Sequence, residues 1–249
     1  MTATADWGDV RTELDRWSAA GRKACLWVRD DDAMAPTREL ERLLRLLALY
    51  RLPALLSVIP MRAEASLPAA IGSFPLVEIA MHGAWHRNHA PAGRALEETA
   101  PDRGKSVIVA ELSDARARLC DLFGSSAGRW YVPPWHRISA RVAELLPELG
   151  FEGLSTFDVM RHGCPRLIER NTHIDLIDWD GGRKGRNAEA VARALAKALA
   201  QARGDGARPV GILTHHLELD ETAWSVLAAL LAVTTDHPAV RWISPSSML

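Results

Sequence analysis

Cysteine is scarce in this 249-residue chain. The three present, Cys25, Cys120 and Cys164, are far apart and odd in number. That argues against a disulfide framework or a cysteine zinc site and fits reduced thiols in the cytoplasm. Net charge is also nearly absent, at −1, so no broad basic field points to nucleic acid as a partner. No apolar run is long enough to span a bilayer. The first ten residues carry Asp6 and Asp9 and no apolar core, unlike a secretory signal. The expectation is a cytoplasmic protein with no membrane partner. Tyrosine and phenylalanine are few, two and four, whereas tryptophan numbers nine. Several of these tryptophans flank polar motifs, which suits a pocket with apolar walls.

With 48% hydrophobic and 24% charged residues, the composition is that of an ordinary globular protein able to bury a substantial core. Periodicity predicts helices over residues 6–20, 37–50 and 107–123. Three more are expected after the capping residues Ser139, Asn187 and Asp220, the first ending at Gly150. Short apolar runs predict strands over 24–28, 54–59, 76–80, 130–132, 153–156, 173–177, 210–213 and 240–243. Strand and helix alternate about seven times, which implies parallel strands with right-handed crossovers. No repeat or low-complexity linker divides the chain, so residues 1–249 are read as one domain. Residues 91–105, rich in charge, Gly and Pro, read as a mobile flap.

Polar motifs recur just after the strands, and a barrel would gather them at its C-terminal face. His82 and His86 are four apart, so a helical turn or tight loop can aim both imidazoles at one ion. A third ligand is available from Asp30, Asp31 and Asp32, three carboxylates following the run Cys25-Leu26-Trp27-Val28. Either stretch alone reads equally as a solvated surface; together they favour a metal site. His89, three residues after His86, is a substrate or neighbouring group, or an ordinary surface histidine. The basic loop Gly181-Gly182-Arg183-Lys184-Gly185-Arg186 is a solvated turn or a holder of an anionic group.

As a set, these motifs resemble those of the polysaccharide deacetylase family, the family-four carbohydrate esterases. The likeness rests on five ordered elements: the Asp pair within Asp30-Asp31-Asp32, His82 with His86, Val132-Pro133-Pro134-Trp135, Asp175-Leu176-Ile177-Asp178-Trp179, and Leu213-Thr214-His215. The chain departs from the pattern where Asp32 or Ala33 replaces a glycine, where Trp135 replaces tyrosine, and where Val132 replaces the arginine that holds the catalytic aspartate. Arg29 or Arg137 is the candidate replacement for that arginine.

The resemblance implies a distorted (β/α) barrel and a metal-dependent hydrolase that removes an acetyl group from a carbohydrate. One divalent metal is expected, zinc with cobalt or nickel as alternatives, on Asp32, His82 and His86. Asp31 is then the general base; the shifted register makes Asp30 the base and Asp31 the ligand. His215 is the expected general acid, with Asp178 or Asp175 beside it. Pro134, Trp135, Trp179, His89 and Arg29 are expected around the substrate, the Trp135 amide completing an oxyanion hole. A small or oligosaccharide substrate is implied. The alternatives are a small non-carbohydrate amide as substrate, or a catalytically silent carbohydrate-binding barrel.

Overall fold

The computed structural model describes residues 7–100, 102–158 and 162–249. Asp6, the expected start of the first helix, lies outside them. Helix α1 (Gly8–Ala19) buries Val10, Leu14 and Trp17 along one face, as the 3.6-residue spacing requires. In chain order there follow β1 (Ala24–Ala33), α2 (Arg38–Leu49), β2 (Ala54–Val58), α3 (Leu67–Ile71), β3 (Val77–His82), α4 (Lys105–Phe123), β4 (Ala127–Val132) and α5 (Ala140–Ala143). The second half contains β5 (Gly153–Leu154), β6 (Ile168–Glu169), β7 (Thr172–Asp175), β8 (Ile177–Asp178), β9 (Lys184–Gly185), α6 (Ala188–Gly204), β10 (Val210–Thr214), α7 (Glu221–Thr235) and β11 (Val240–Trp242). Side chains of Thr37, Asn187 and Asp220 cap α2, α6 and α7 by accepting backbone N–H groups at 3.1, 2.8 and 2.9 Å. Each such cap is worth about 1 kcal/mol.

Eight strands form one curled parallel sheet in the order β6-β5-β4-β3-β2-β1-β10-β7, with β11 added against the start of β1. Its ends meet where Phe157, just beyond β5, pairs in parallel with Thr172 of β7. The fold is therefore a distorted (β/α) barrel. No described helix is long and apolar enough to cross a membrane.

Side chains alternate across β1. Leu26 and Val28 face the helices in one large apolar cluster. Trp27 points the other way, into a plug with Leu55, Ala80, Trp130, Val132 and Met248. Burying a large apolar side chain of this kind contributes roughly 2–3 kcal/mol. Arg29 and Asp31 follow Trp27 on the inner face, so they sit above an apolar floor.

Three expected elements differ. The helix from Ser139 to Gly150 is cut to α5 and a 3₁₀ turn over Leu146–Leu149, because Pro147 cannot continue an α-helix. The strand over 173–177 breaks at Leu176: β7 stays in the barrel, while β8 turns away to pair antiparallel with β9. Residues 91–105 are not a free flap. Glu98, Thr99 and Ala100 are buried, and Glu98 ties the segment to the loop after β3.

Candidate functional site

The three consecutive aspartates have three different surroundings. Asp30 faces the helices and is engaged by Thr214 and His216. Asp31 faces the barrel interior with Arg29. Asp32 has φ +71°, and the pairing of β1 with β2 shifts register between Asp30 and Ala33. This bulge-like irregularity re-aims Asp32, so that both carboxylates lie near His82 although the two are adjacent in sequence. Asp30 is therefore not brought together with Asp31 and Asp32: its carboxylate is on the other face of the strand, with Thr214 and His216.

Arg29 is fully buried. Its Nη2 donates to Asp31 Oδ2 at 3.0 Å, and its Nε lies 3.0 Å from Oδ1, an ion-pair contact in which the N–H is not aimed at the oxygen. Its Nη1 donates to Ser155 Oγ at 2.6 Å and to the Thr156 carbonyl at 3.0 Å. Arg29 is thus the guanidinium that steadies Asp31, and Arg137 is not needed for this. It has no exposed surface, so it sits behind Asp31 and not on an accessible wall. Burial on its own would raise the Asp31 pKa. The Arg29 charge, and behind it His82, override this and hold the carboxyl well below the usual range.

Asp32 Oδ1 lies 3.2 Å from His82 Nε2 and 3.3 Å from His86 Nε2. The oxygen is buried, and neither contact has hydrogen-bond geometry. His82 Nδ1 pairs with the Val132 carbonyl at 2.9 Å. A carbonyl only accepts, so neutral His82 keeps a lone pair on Nε2. One carboxylate oxygen and two imidazole nitrogens therefore converge, which is the donor set and spacing that could hold a divalent metal. The electrostatics agree. Despite burial, Asp31 and Asp32 push the His82 pKa up, and Asp32, against its own burial, is drawn down to about 2 by His82. The corner favours positive charge.

His82 ends β3, and His86 follows in a loop, not a helix, with φ +55°. The loop is shaped by Glu98, whose carboxylate accepts the amides of Ala84 at 2.9 Å, Trp85 at 2.8 Å and Arg87 at 3.2 Å. Gly83 permits this approach, since a Cβ there would stand 1.9 Å from Glu98 Oε2 and 2.6 Å from Pro134 Cγ. Pro134 is accordingly buried as packing. Glu98→Gln would set an amide N–H₂ against backbone N–H donors. Leaving such groups unpaired costs about 1–3 kcal/mol. The expected result is a lower unfolding temperature and a roughly tenfold or greater loss of metal affinity by titration. Unchanged affinity would contradict the bracing role.

His89 is set apart from this cluster. Its amide donates to the Glu97 carbonyl and its Nε2 is buried without a partner. The i, i+3 argument for it fails because the segment is not helical.

Beyond β4, Pro133 and Pro134 lack N–H groups, so the Trp135 amide is the first donor, and no described acceptor takes it. Trp135 (φ +52°) packs against His86 with its ring tilted, the ring centroids 4.4 Å apart. His136 (φ +58°) was not singled out from the sequence. Its Nδ1 lies 3.1 Å from Arg29 Nη2, and it joins Asp31 and His215 in a second group of converging polar atoms. Burial, then the Arg29 charge, lower its pKa to about 3, so it is neutral at ordinary pH. The immediate succession Pro-Pro-Trp-His was the available signal. Four of the eight positive-φ residues other than glycine among the described residues, Asp32, His86, Trp135 and His136, gather here. Such backbone strain concentrates at functional sites.

His215 is buried, its Nδ1 has no partner, and Trp179 packs edge-on against it with centroids 4.8 Å apart. Asp178, expected beside His215, is exposed and accepts the Gly181 amide at 2.9 Å. The break after β7 carries it out of the barrel. Asp175 stays at the end of β7, where it accepts Trp179 Nε1 at 2.7 Å and the Ile177 amide at 2.9 Å and so holds the ring that packs on His215. Burial raises the Asp175 pKa against the pull of His215. In the basic loop, Arg183 pairs with Glu218 at 2.6 Å and Arg186 donates to the Asp175 carbonyl at 3.1 Å, so two of its three cations have internal partners.

No family model matches the chain, and no curated protein matches it in sequence. Solved structures match it over most of its length. One, from Mycobacterium smegmatis and assigned as a polysaccharide deacetylase, is 17% identical, with 91% of this chain and 89% of that one covered and a TM-score of 0.68. An allantoinase is 14% identical, with 90% and 88% covered and a TM-score of 0.67. A family 4 acetyl xylan esterase from Clostridium thermocellum, solved with a cobalt ion, is 16% identical, with 90% and 89% covered and a TM-score of 0.52. The chain thus shares the fold of polysaccharide deacetylases at the low identity of a divergent sequence.

Proposed function

We propose that the protein is a metal-dependent hydrolase that removes an N- or O-linked acetyl group from a carbohydrate. The observation that carries this reading is the juxtaposition of two differently held carboxylates. Asp32 is grouped with His82 and His86, and Asp31 is gripped by Arg29 beside them. Asp32, His82 and His86 would hold a divalent cation, zinc or alternatively cobalt or nickel, which would supply Lewis acidity toward water and the acyl carbonyl.

The chain's own residues perform the remaining tasks. Asp31, ionised at neutral pH, accepts the proton of the attacking water. The Trp135 amide donates to the oxyanion. His215 protonates the departing amine or alkoxide, with Asp175 and Trp179 fixing its surroundings. Trp179 and Trp135 offer aromatic walls to the substrate. Val132 in place of the family arginine favours a silent binding barrel, but that argument loses force because the Arg29 guanidinium pairs with Asp31. A second reading, hydrolysis of a small non-carbohydrate amide, is favoured by the fold likeness to an allantoinase.

The test is acetate release from N-acetylglucosamine oligomers and acetylated xylan, run beside allantoin, before and after chelation and metal return. Metal-dependent acetate release is expected. Turnover of allantoin without acetate release would move the assignment to the second reading. In the same assay His215→Ala should lower turnover of an N-acetyl substrate by about a hundredfold. It should affect an activated acetyl ester less and leave metal content unchanged. Equal rates for wild type and variant on both substrates would remove His215 from the mechanism.

A further inference from the structure

His215 has no side-chain hydrogen bond among the described residues. No hydrogen bond among the described residues fixes its ring, so its aim depends on the backbone that carries it and on the Trp179 ring packed against it. That backbone is held from both sides by one carboxylate. Asp30 Oδ2 accepts Thr214 Oγ1 at 2.7 Å and the His216 amide at 3.0 Å, and Asp30 Oδ1 meets His216 Nδ1 at 2.5 Å. Asp30 is also the register partner of Thr214 across β1 and β10. All three residues are buried. The next carbonyl is secured too, since the Glu218 amide donates to the His215 oxygen at 2.8 Å.

Stability alone gives little reason for this pair. A buried ionic or polar pair commonly does no better than apolar side chains of the same volume. This one also leaves His216 Nε2 buried and without a partner, a cost that an apolar replacement would avoid. What the arrangement provides is a fixed position for the residue between Thr214 and His216, attached to the same strand that carries Asp31 and Asp32.

We propose that Asp30 and His216 are positioning residues that set the aim of His215 and act on proton delivery to the leaving group. This rests on the hydrolase reading above. Because they act through one clamp, their losses overlap.

The experiment compares Asp30→Ala, His216→Ala and the double variant with wild type, all loaded with zinc. Each single variant should lose roughly ten- to a hundredfold in kcat on an N-acetyl substrate. KM, bound metal and turnover of an activated acetyl ester should stay near wild type. The double variant should be no worse than the weaker single variant. Asp30→Asn, which still accepts the His216 amide, should recover most of the rate. If Asp30→Ala does not fold, Thr214→Val, which removes one of the three bonds, should show a smaller loss with the same ester–amide split. Side-chain ¹⁵N spectra should show the His215 imidazole displaced in Asp30→Ala while His82 and His86 keep their wild-type signals. Equal losses on amide and ester, loss of metal, additive effects or an unmoved His215 signal would each overturn the clamp. If wild type releases no acetate, the hydrolase reading fails, and the His215 spectrum alone decides whether the clamp exists.

Discussion

Arg29→Met is expected to lose both stability and activity. The guanidinium and the Asp31 carboxylate are both fully buried. Removing one partner strands the other charge inside the barrel, at a cost of about 3–5 kcal/mol. For a chain of this size that lowers the melting temperature by roughly 10 °C or more. Ser155 Oγ and the Thr156 carbonyl lose their donor as well. Arg29→Lys should fall between, because an ammonium cannot reach Asp31, Ser155 and Thr156 with separate, rigidly spaced donors. Thermal unfolding and kcat are the measurements. A melting temperature within about 2 °C of wild type would contradict the buried bridge, given the usual cost of breaking one.

His82→Ala and His86→Ala should each abolish binding of the proposed cation, for a different reason from the Arg29 defect. Two ligands cannot reproduce the hold of three, and the remaining Asp32 is partly exposed. The effect is separable by linkage. Zinc at about a hundred times its dissociation constant should stabilise wild type by roughly 2.7 kcal/mol, and this increment should vanish in both variants. Elemental analysis showing full zinc occupancy in the double variant would remove these histidines from the site. His89→Ala should leave the increment intact, since His89 is not part of the converging group.

Much of this site is legible in the sequence, and the exceptions have identifiable causes. The strand-end positions of the acidic run, His82, Trp135 and His215 follow from apolar runs ending at polar motifs, which the parallel barrel then gathers. Alternation along β1 puts Trp27, Arg29 and Asp31 on one face, so the choice of Arg29 over Arg137 was partly available. The positive φ of Asp32 was not, because nothing in an aspartate announces a left-handed turn, and that turn is what brings two neighbours to the same side, near His82. Asp178 lies away from the expected place because Ile174, Leu176 and Ile177 read as one strand across Asp175, while the hydrogen-bonded strand ends at Asp175. His136 and Glu98 act across long sequence separations, on Arg29 and on the loop after β3, and local pattern carries no trace of such pairings. The charged, glycine-containing segment around Glu98 read as mobile for the same reason. Its anchors are the buried Glu98 carboxylate, which meets backbone amides, and the bonds of Glu97 to Asn88 and His89.

The division of labour between the two adjacent carboxylates is tested most directly by measuring zinc content and acetate release in Asp31→Asn and Asp32→Asn side by side. Asp31→Asn should keep a full complement of zinc and lose roughly a hundredfold or more in turnover, the scale of a lost general base. Asp32→Asn should bind zinc poorly, with activity falling in proportion to the metal. Zinc loss in Asp31→Asn with retention in Asp32→Asn would reverse the two roles and contradict the account.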